Sequence, residues 1–199
     1  MRVYDVHAPK NQGPAAADQQ AFLIGIAFHE AAIRSAREVV DRDGAPVIAL
    51  CPMVVNYAFA AELYLKSLMP KAPRGHRLNV LFAKLEPSFR DAITVRYESR
   101  TGRLAVDLQK DILALSNLFV EWRYVFEGEG QVAHSNLLIA FTKAVYETIR
   151  TSFPAWPVNE EQDEYFRLAY DETMTVANFG GGTFLHVIDG TGLLNQPDA

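Results

Sequence analysis

"CPMVVNYAFAAELYLKSLMP", residues 51–70, decides the fold. Proline is tolerated in the first turn of a helix and stops an interior one. A helix therefore starts at Pro46 or Pro52 and ends at Met69, before Pro70. Val55, Phe59 and Leu63 occupy one side of it, and Met53, Tyr57, Tyr64 and Leu68 cover another. A helix that is apolar nearly all round belongs at the centre of a bundle. Glu62 and Lys66 are then charges in a place that should be buried.

The flanking sequence supplies the rest of the bundle. Over residues 15–42, Phe22, Ile26, His29, Ile33, Ala36 and Val40 recur at three- and four-residue spacing, which predicts a first helix closed by Asp43-Gly44. After the stiff "PKAPRG" turn, Leu78, Leu81, Phe82 and Leu85 form a short third stripe, ended or kinked at Pro87. Phe89, Ile93 and Tyr97 mark a more polar fourth helix broken by Thr101-Gly102. Leu108, Ile112, Leu115, Phe119, Trp122 and Phe126 predict one long helix over 104–127, stopped by Gly128 and Gly130. Leu137, Phe141, Val145 and Ile149 carry a last helix over 131–153, before Pro154 and Pro157. The expected fold is all-α, an antiparallel up-and-down bundle of about five to six helices over 15–157. It is preceded by an arm, 1–14, and followed by an acidic and then Gly-rich appendage, 158–199. Residues 173–188 of that appendage are expected either as a small β-hairpin around 180–182 or as an extended tail.

Composition narrows the function classes. With 49% hydrophobic and 22% charged residues the chain can bury a core, which excludes intrinsic disorder as its main state. A net charge of -5 argues against a broad basic surface for nucleic acid, though a local basic strip remains compatible with it. Cys51, the single cysteine, excludes an intramolecular disulfide and any clustered thiolate metal site, and a reducing, cytoplasmic setting is expected. The first twenty residues lack the charged-then-apolar layout of a secretion signal. The longest uncharged stretch, 47–61, contains Pro52 and Asn56 and falls short of the ~20 apolar residues that span a bilayer. No membrane partner, cofactor or metal is expected.

Few residues remain that carry chemistry. Glu62 and Lys66 stand at i and i+4, a pair worth only ~0.3–0.5 kcal/mol on an exposed helix. Inside a bundle an unpaired ion costs several kcal/mol, so partners become obligatory and the pair belongs to a structural ion network or to a ligand site. Arg123 borders the apolar stripe of the fifth helix and needs an acceptor. Glu127 can supply it one turn on, or Glu62 across helices. Tyr124 closes such a network or faces a bound base. His76, after Gly75, reads as a capping or core imidazole, or else as a group for proton transfer or phosphate contact. His29 and His134 read as core or surface residues. "GGGTFLHVIDGTG" lacks the Lys-Ser/Thr of a phosphate loop, and neither an HExxH pair nor a GxSxG elbow occurs. Cys51 is expected to be inert.

Together, "NYAFAAELYLKSLM" (56–69), "GHRLNVLF" (75–82) and "LFVEWRYVFEGE" (118–129) resemble the HEPN family, the higher eukaryotes and prokaryotes nucleotide-binding domains. The resemblance implies a helical bundle, often a two-fold homodimer, with a site near the dimer seam. It also implies a nucleotide, RNA or cognate protein partner, frequently in toxin–antitoxin or phage-defence systems. Many members are metal-independent ribonucleases whose motif is Arg, a polar residue, and then His after four to six intervening residues. Arg123 matches the first position, but Tyr124 follows it and no His occurs between 124 and 133. The resemblance therefore implies binding at Glu62, Lys66, His76, Arg123, Tyr124 and Glu127 ahead of cleavage. Arg123 with His76 or His134 would be the catalytic set if RNA is cut.

Overall fold

The structure, a computed structural model, describes residues 17–36, 39–40, 46–47, 50–71, 73–122, 135–158, 163, 166, 174–176 and 185–187. Its described residues form the expected all-α bundle: α1 (Ala17–Ala36), α2 (Leu50–Ser67), α3 (Leu78–Ala83), α4 (Pro87–Thr101), α5 (Ala105–Leu115), α6 (Leu118–Glu121) and α7 (Ser135–Ser152). Two short ladders accompany them, β1 (Val39–Val40) with β2 (Pro46–Val47), and β3 (Met174–Val176) with β4 (Leu185–Val187).

α2 is the central helix, as its all-round apolar sequence predicts. It packs against α1, α3, α6 and α7, and Met53, Val54, Tyr57, Ala58, Tyr64 and Leu65 are fully buried along it. The contact with α1 is close because Gly25 faces the Tyr64 ring. A Cβ at Gly25 would stand 2.7 and 2.8 Å from Tyr64 Cε1 and Cδ1, where no side chain fits. Glycine inside a helix costs about 1 kcal/mol relative to alanine. The close approach of two packed helices offsets that cost.

Three boundaries differ from the sequence expectation. First, Val40 does not extend the α1 stripe: Val39 pairs with Val47 and Val40 with Pro46 in an antiparallel ladder. β-Branched side chains lose χ1 freedom in a helix, and Asp-Gly is a hairpin signal as much as a helix stop. Pro46 is consequently a strand residue, and α2 begins at Leu50 with Pro52 in its first turn. Second, Pro87 is the first residue of α4 rather than the end of α3. α4 closes on Gly102, whose left-handed φ of 66° lets its N–H donate to the Glu98 carbonyl at 2.8 Å.

Third, the long helix expected over 104–127 is divided. α5 stops at Leu115 and α6 covers only Leu118–Glu121. Ser116 sits at the break. Its Oγ donates to the Ile112 carbonyl at 2.7 Å and accepts the Asn79 N–H at 3.0 Å, while its carbonyl accepts the Leu78 N–H at 3.3 Å. The N-cap of α3, Arg77, makes no side-chain capping bond, so α3 takes its cap from the end of α5.

α4 and α7 pack together, with Ile93 and Tyr97 buried on α4 and Leu138, Phe141, Val145 and Ile149 on α7; Leu137 is only partly buried. In the C-terminal appendage β3 and β4 pair antiparallel, Met174 with Val187, Thr175 with His186 and Val176 with Leu185. Its expected turn, 180–182, lies outside the described residues. Among those residues no helix is long and apolar enough to cross a membrane.

The α1–α2 contact yields a first prediction. Gly25→Ala gains up to ~1 kcal/mol of helix propensity but drives a methyl into a rigid buried ring, and overpacking costs ~1–3 kcal/mol. Urea unfolding should show a lower midpoint for the variant; an equal or higher midpoint contradicts the packing described.

Candidate functional site

Glu62 is held on the central helix with a side-chain exposure of 1%. Lys66 Nζ, one turn on, donates to its Oε1 at 2.6 Å. His76 Nδ1 lies 3.0 Å from Oε2 and 3.1 Å from Oε1. The side chains are graded outward, with Lys66 at 17% and His76 at 52% exposure. The carboxylate forms the floor of the cluster and the imidazole its rim.

The local sequence explains how His76 gets there. α2 ends before Pro70, and Gly75 adopts a φ of 118° that other residues rarely take. That conformation turns the chain between α2 and α3 so that His76 meets Glu62, fourteen residues back. A carboxylate offers about four acceptor positions, and three contacts are made here. With Nδ1 against a carboxylate, the proton is assigned to Nδ1 and Nε2 becomes the free ring nitrogen. Nε2 makes no hydrogen bond among the described residues.

An aromatic ladder backs the imidazole. Phe28 on α1 meets Phe59 on α2 edge-on at 4.5 Å, Phe59 stacks on Phe119 of α6 at 4.6 Å, and His76 lies 5.4 Å from Phe119. Each such pair contributes about 0.5–1.5 kcal/mol beyond area burial. His76 is thus fixed on one side by charge and on the other by a ring.

Of the residues singled out in the sequence, Glu62, Lys66 and His76 are brought together. Arg123, Tyr124, Glu127 and His134 lie outside the described residues. His29 belongs to the core, at 0% exposure. The Cys51 thiol is pushed up by burial, away from the reactive thiolate form. Among the described residues no three His, Cys, Asp or Glu side chains cluster as metal ligands.

Sequence reasoning missed one polar node. Asp111, 6% exposed, accepts Arg103 in bidentate geometry at 2.6 and 2.8 Å and the Tyr97 hydroxyl at 2.8 Å. Burial and then the Asp111 bond push the Tyr97 phenol well up. The node clips the turn at Gly102 to α5. Arg103 and Asp111 are eight residues apart across a helix start, a spacing with no local signature. In the sequence Tyr97 is simply one position of an apolar stripe.

His29 carries a second prediction. Its Nδ1 is 3.1 Å from the Tyr64 hydroxyl, and its ring stacks on Phe166 at 4.5 Å. Burial first, then the nearby Lys143 charge, lowers its pKa from 6.5 to about 3. Below pH 6.5 the unfolded chain takes up a proton that the folded core refuses. The folded state then binds fewer protons, and stability falls as pH falls toward 3, by up to ~1.4 kcal/mol per pH unit. Urea unfolding at pH 7 and pH 5 should show this loss in the wild type and a smaller one in His29→Leu; identical losses contradict it. Comparison with family models, with curated proteins and with solved structures returns no match for this chain.

Proposed function

We propose that the protein binds a phosphate-bearing ligand, a nucleotide or RNA, at the Lys66–His76 edge of the bundle. What carries this reading is the half-exposed His76 ring, fixed through Nδ1 on the buried Glu62 carboxylate that also holds Lys66. A buried acid with two graded cationic or hydrogen-bonding neighbours is more than packing requires, since an apolar residue at position 62 would avoid the desolvation cost altogether. Lys66 supplies positive charge and His76 Nε2 supplies a directed polar contact at the rim. The ladder ending at Phe119 gives the rim an aromatic wall of the kind on which bases are held. With the resemblance noted in the sequence, the reading extends to a cytoplasmic homodimer with a cognate protein partner, in a defence or toxin–antitoxin setting.

One feature favours a second reading, metal-independent cleavage of RNA. A histidine whose Nδ1 is held by a buried carboxylate presents Nε2 in a fixed tautomer, which suits general acid–base catalysis worth about 10²–10⁴-fold. In that reading His76 moves the proton and Lys66, with Arg123, meets the phosphate.

Titration of the purified chain with adenosine nucleotides and a short oligoribonucleotide, followed by calorimetry, tests both. Binding should weaken about tenfold or more in His76→Ala and Lys66→Ala, with the far-UV spectrum unchanged. Undiminished binding in both folded variants, or none in the wild type, contradicts the proposal. Loss of RNA in the presence of a chelator, abolished by His76→Ala, selects cleavage over binding alone.

A further inference from the structure

We infer that the groove between α4 and α7 is a separate anion site that takes phosphate groups. Two adjoining cavities of about 790 and 380 Å³ run along it and share Arg96 and Glu147, so they form one trough. Arg96 and Arg100 stand one turn apart on α4, and Arg150 joins them from α7. Glu147 is the one carboxylate among the described lining residues. Asp163 adds a second carboxylate, paired with Arg150, so three guanidiniums against two acids leave the trough a cationic surplus on a chain whose net charge is -5.

Helix packing alone does not account for this arrangement. Like charges at i and i+4 destabilise a helix by a few tenths of a kcal/mol, and with Glu147 on Arg100 and Asp163 on Arg150, Arg96 has no carboxylate partner among the described residues. Nor do the existing bonds consume the donors. Each guanidinium carries five N–H groups. Arg96 gives one to the Ala92 carbonyl and one to the Thr151 hydroxyl at 3.0 Å each. Arg100 gives one to Glu147, and its buried Nε has no partner among the described residues. Arg150 reaches Asp163 at 3.3 Å and the Trp156 carbonyl at 3.0 Å. Among the described residues the remaining terminal N–H groups make no hydrogen bond.

The lining also selects the ligand chemistry. Arginine forks match the oxygens of phosphate in bidentate fashion, and Ser99 adds a hydroxyl, while that of Thr151 is committed to the Glu147 carbonyl at 2.8 Å. Among the described residues no aromatic side chain lines the trough, so the lining supplies no platform for a base and the phosphate itself is the recognised group. That group is carried either by a small oligophosphate or by an oligonucleotide backbone. The site uses none of Glu62, Lys66 or His76 and stands apart from the function proposed above.

Inorganic tripolyphosphate and a short oligoribonucleotide are the probes, each titrated into the full-length chain at low and high salt. At least one should bind, more weakly as salt rises. Arg96→Ala should weaken it about tenfold, and Glu147→Gln should strengthen it several-fold by removing the opposing charge. Tripolyphosphate alone binding assigns a small phosphorylated ligand, and the oligonucleotide alone assigns a nucleic-acid backbone. The inference is overturned if neither probe binds, or if Arg96→Ala and Glu147→Gln have no effect. The Glu147→Gln arm gains affinity, so loss of fold cannot imitate it.

Discussion

A buried carboxylate must be compensated, and in this bundle Glu62 sets that requirement. It sits on the central helix with 1% exposure, where an uncompensated charge costs several kcal/mol. Lys66 answers from the same helix, one turn on. His76 answers from a different segment, and reaching it demands the break at Pro70, the left-handed Gly75 and the start of α3 at Leu78. The path of the chain between α2 and α3 is therefore tied to the charge on α2.

The same logic of satisfied polar groups runs through the rest of the molecule. α3 is too short to stand alone, and the backbone N–H groups of its first turn are met by Ser116 at the end of α5. The turn after α4 is clipped by Arg103 on Asp111. α1 reaches α2 through a glycine that admits the Tyr64 ring, and that ring's hydroxyl in turn meets His29 Nδ1. Apolar burial supplies the bulk of the driving force, while these few polar contacts fix which helices meet and in what register. The candidate site is one of them with an open side.

How much of this was legible in the sequence depended on the range of the interaction. The all-round apolar character of 51–70 is a local pattern, and it placed the central helix correctly. Glu62 and Lys66 stood out for the same reason, as charges against that pattern. The short strand at Val39–Val40 competed with a helical stripe that ran through Val40, and cross-strand pairing decided the outcome. The division of the 104–127 segment was illegible because its cause, Ser116 capping α3, joins residues 37 apart. The Tyr97–Asp111–Arg103 node and the α4–α7 arginine trough are likewise products of packing between helices. His76 was recognised as a candidate from its Gly75 neighbour, but its contact with Glu62 needed the turn geometry.

The central claim is that Glu62 holds the His76 ring through Nδ1 and leaves Nε2 facing outward. Nitrogen-15 NMR of imidazole-labelled protein, recorded with His76 neutral, reads the tautomer directly. His76 should appear in the Nδ1–H form in the wild type and shift toward the Nε2–H form in folded Glu62→Gln. A wild-type ring found mainly as the Nε2–H tautomer, or one unchanged by Glu62→Gln, contradicts it.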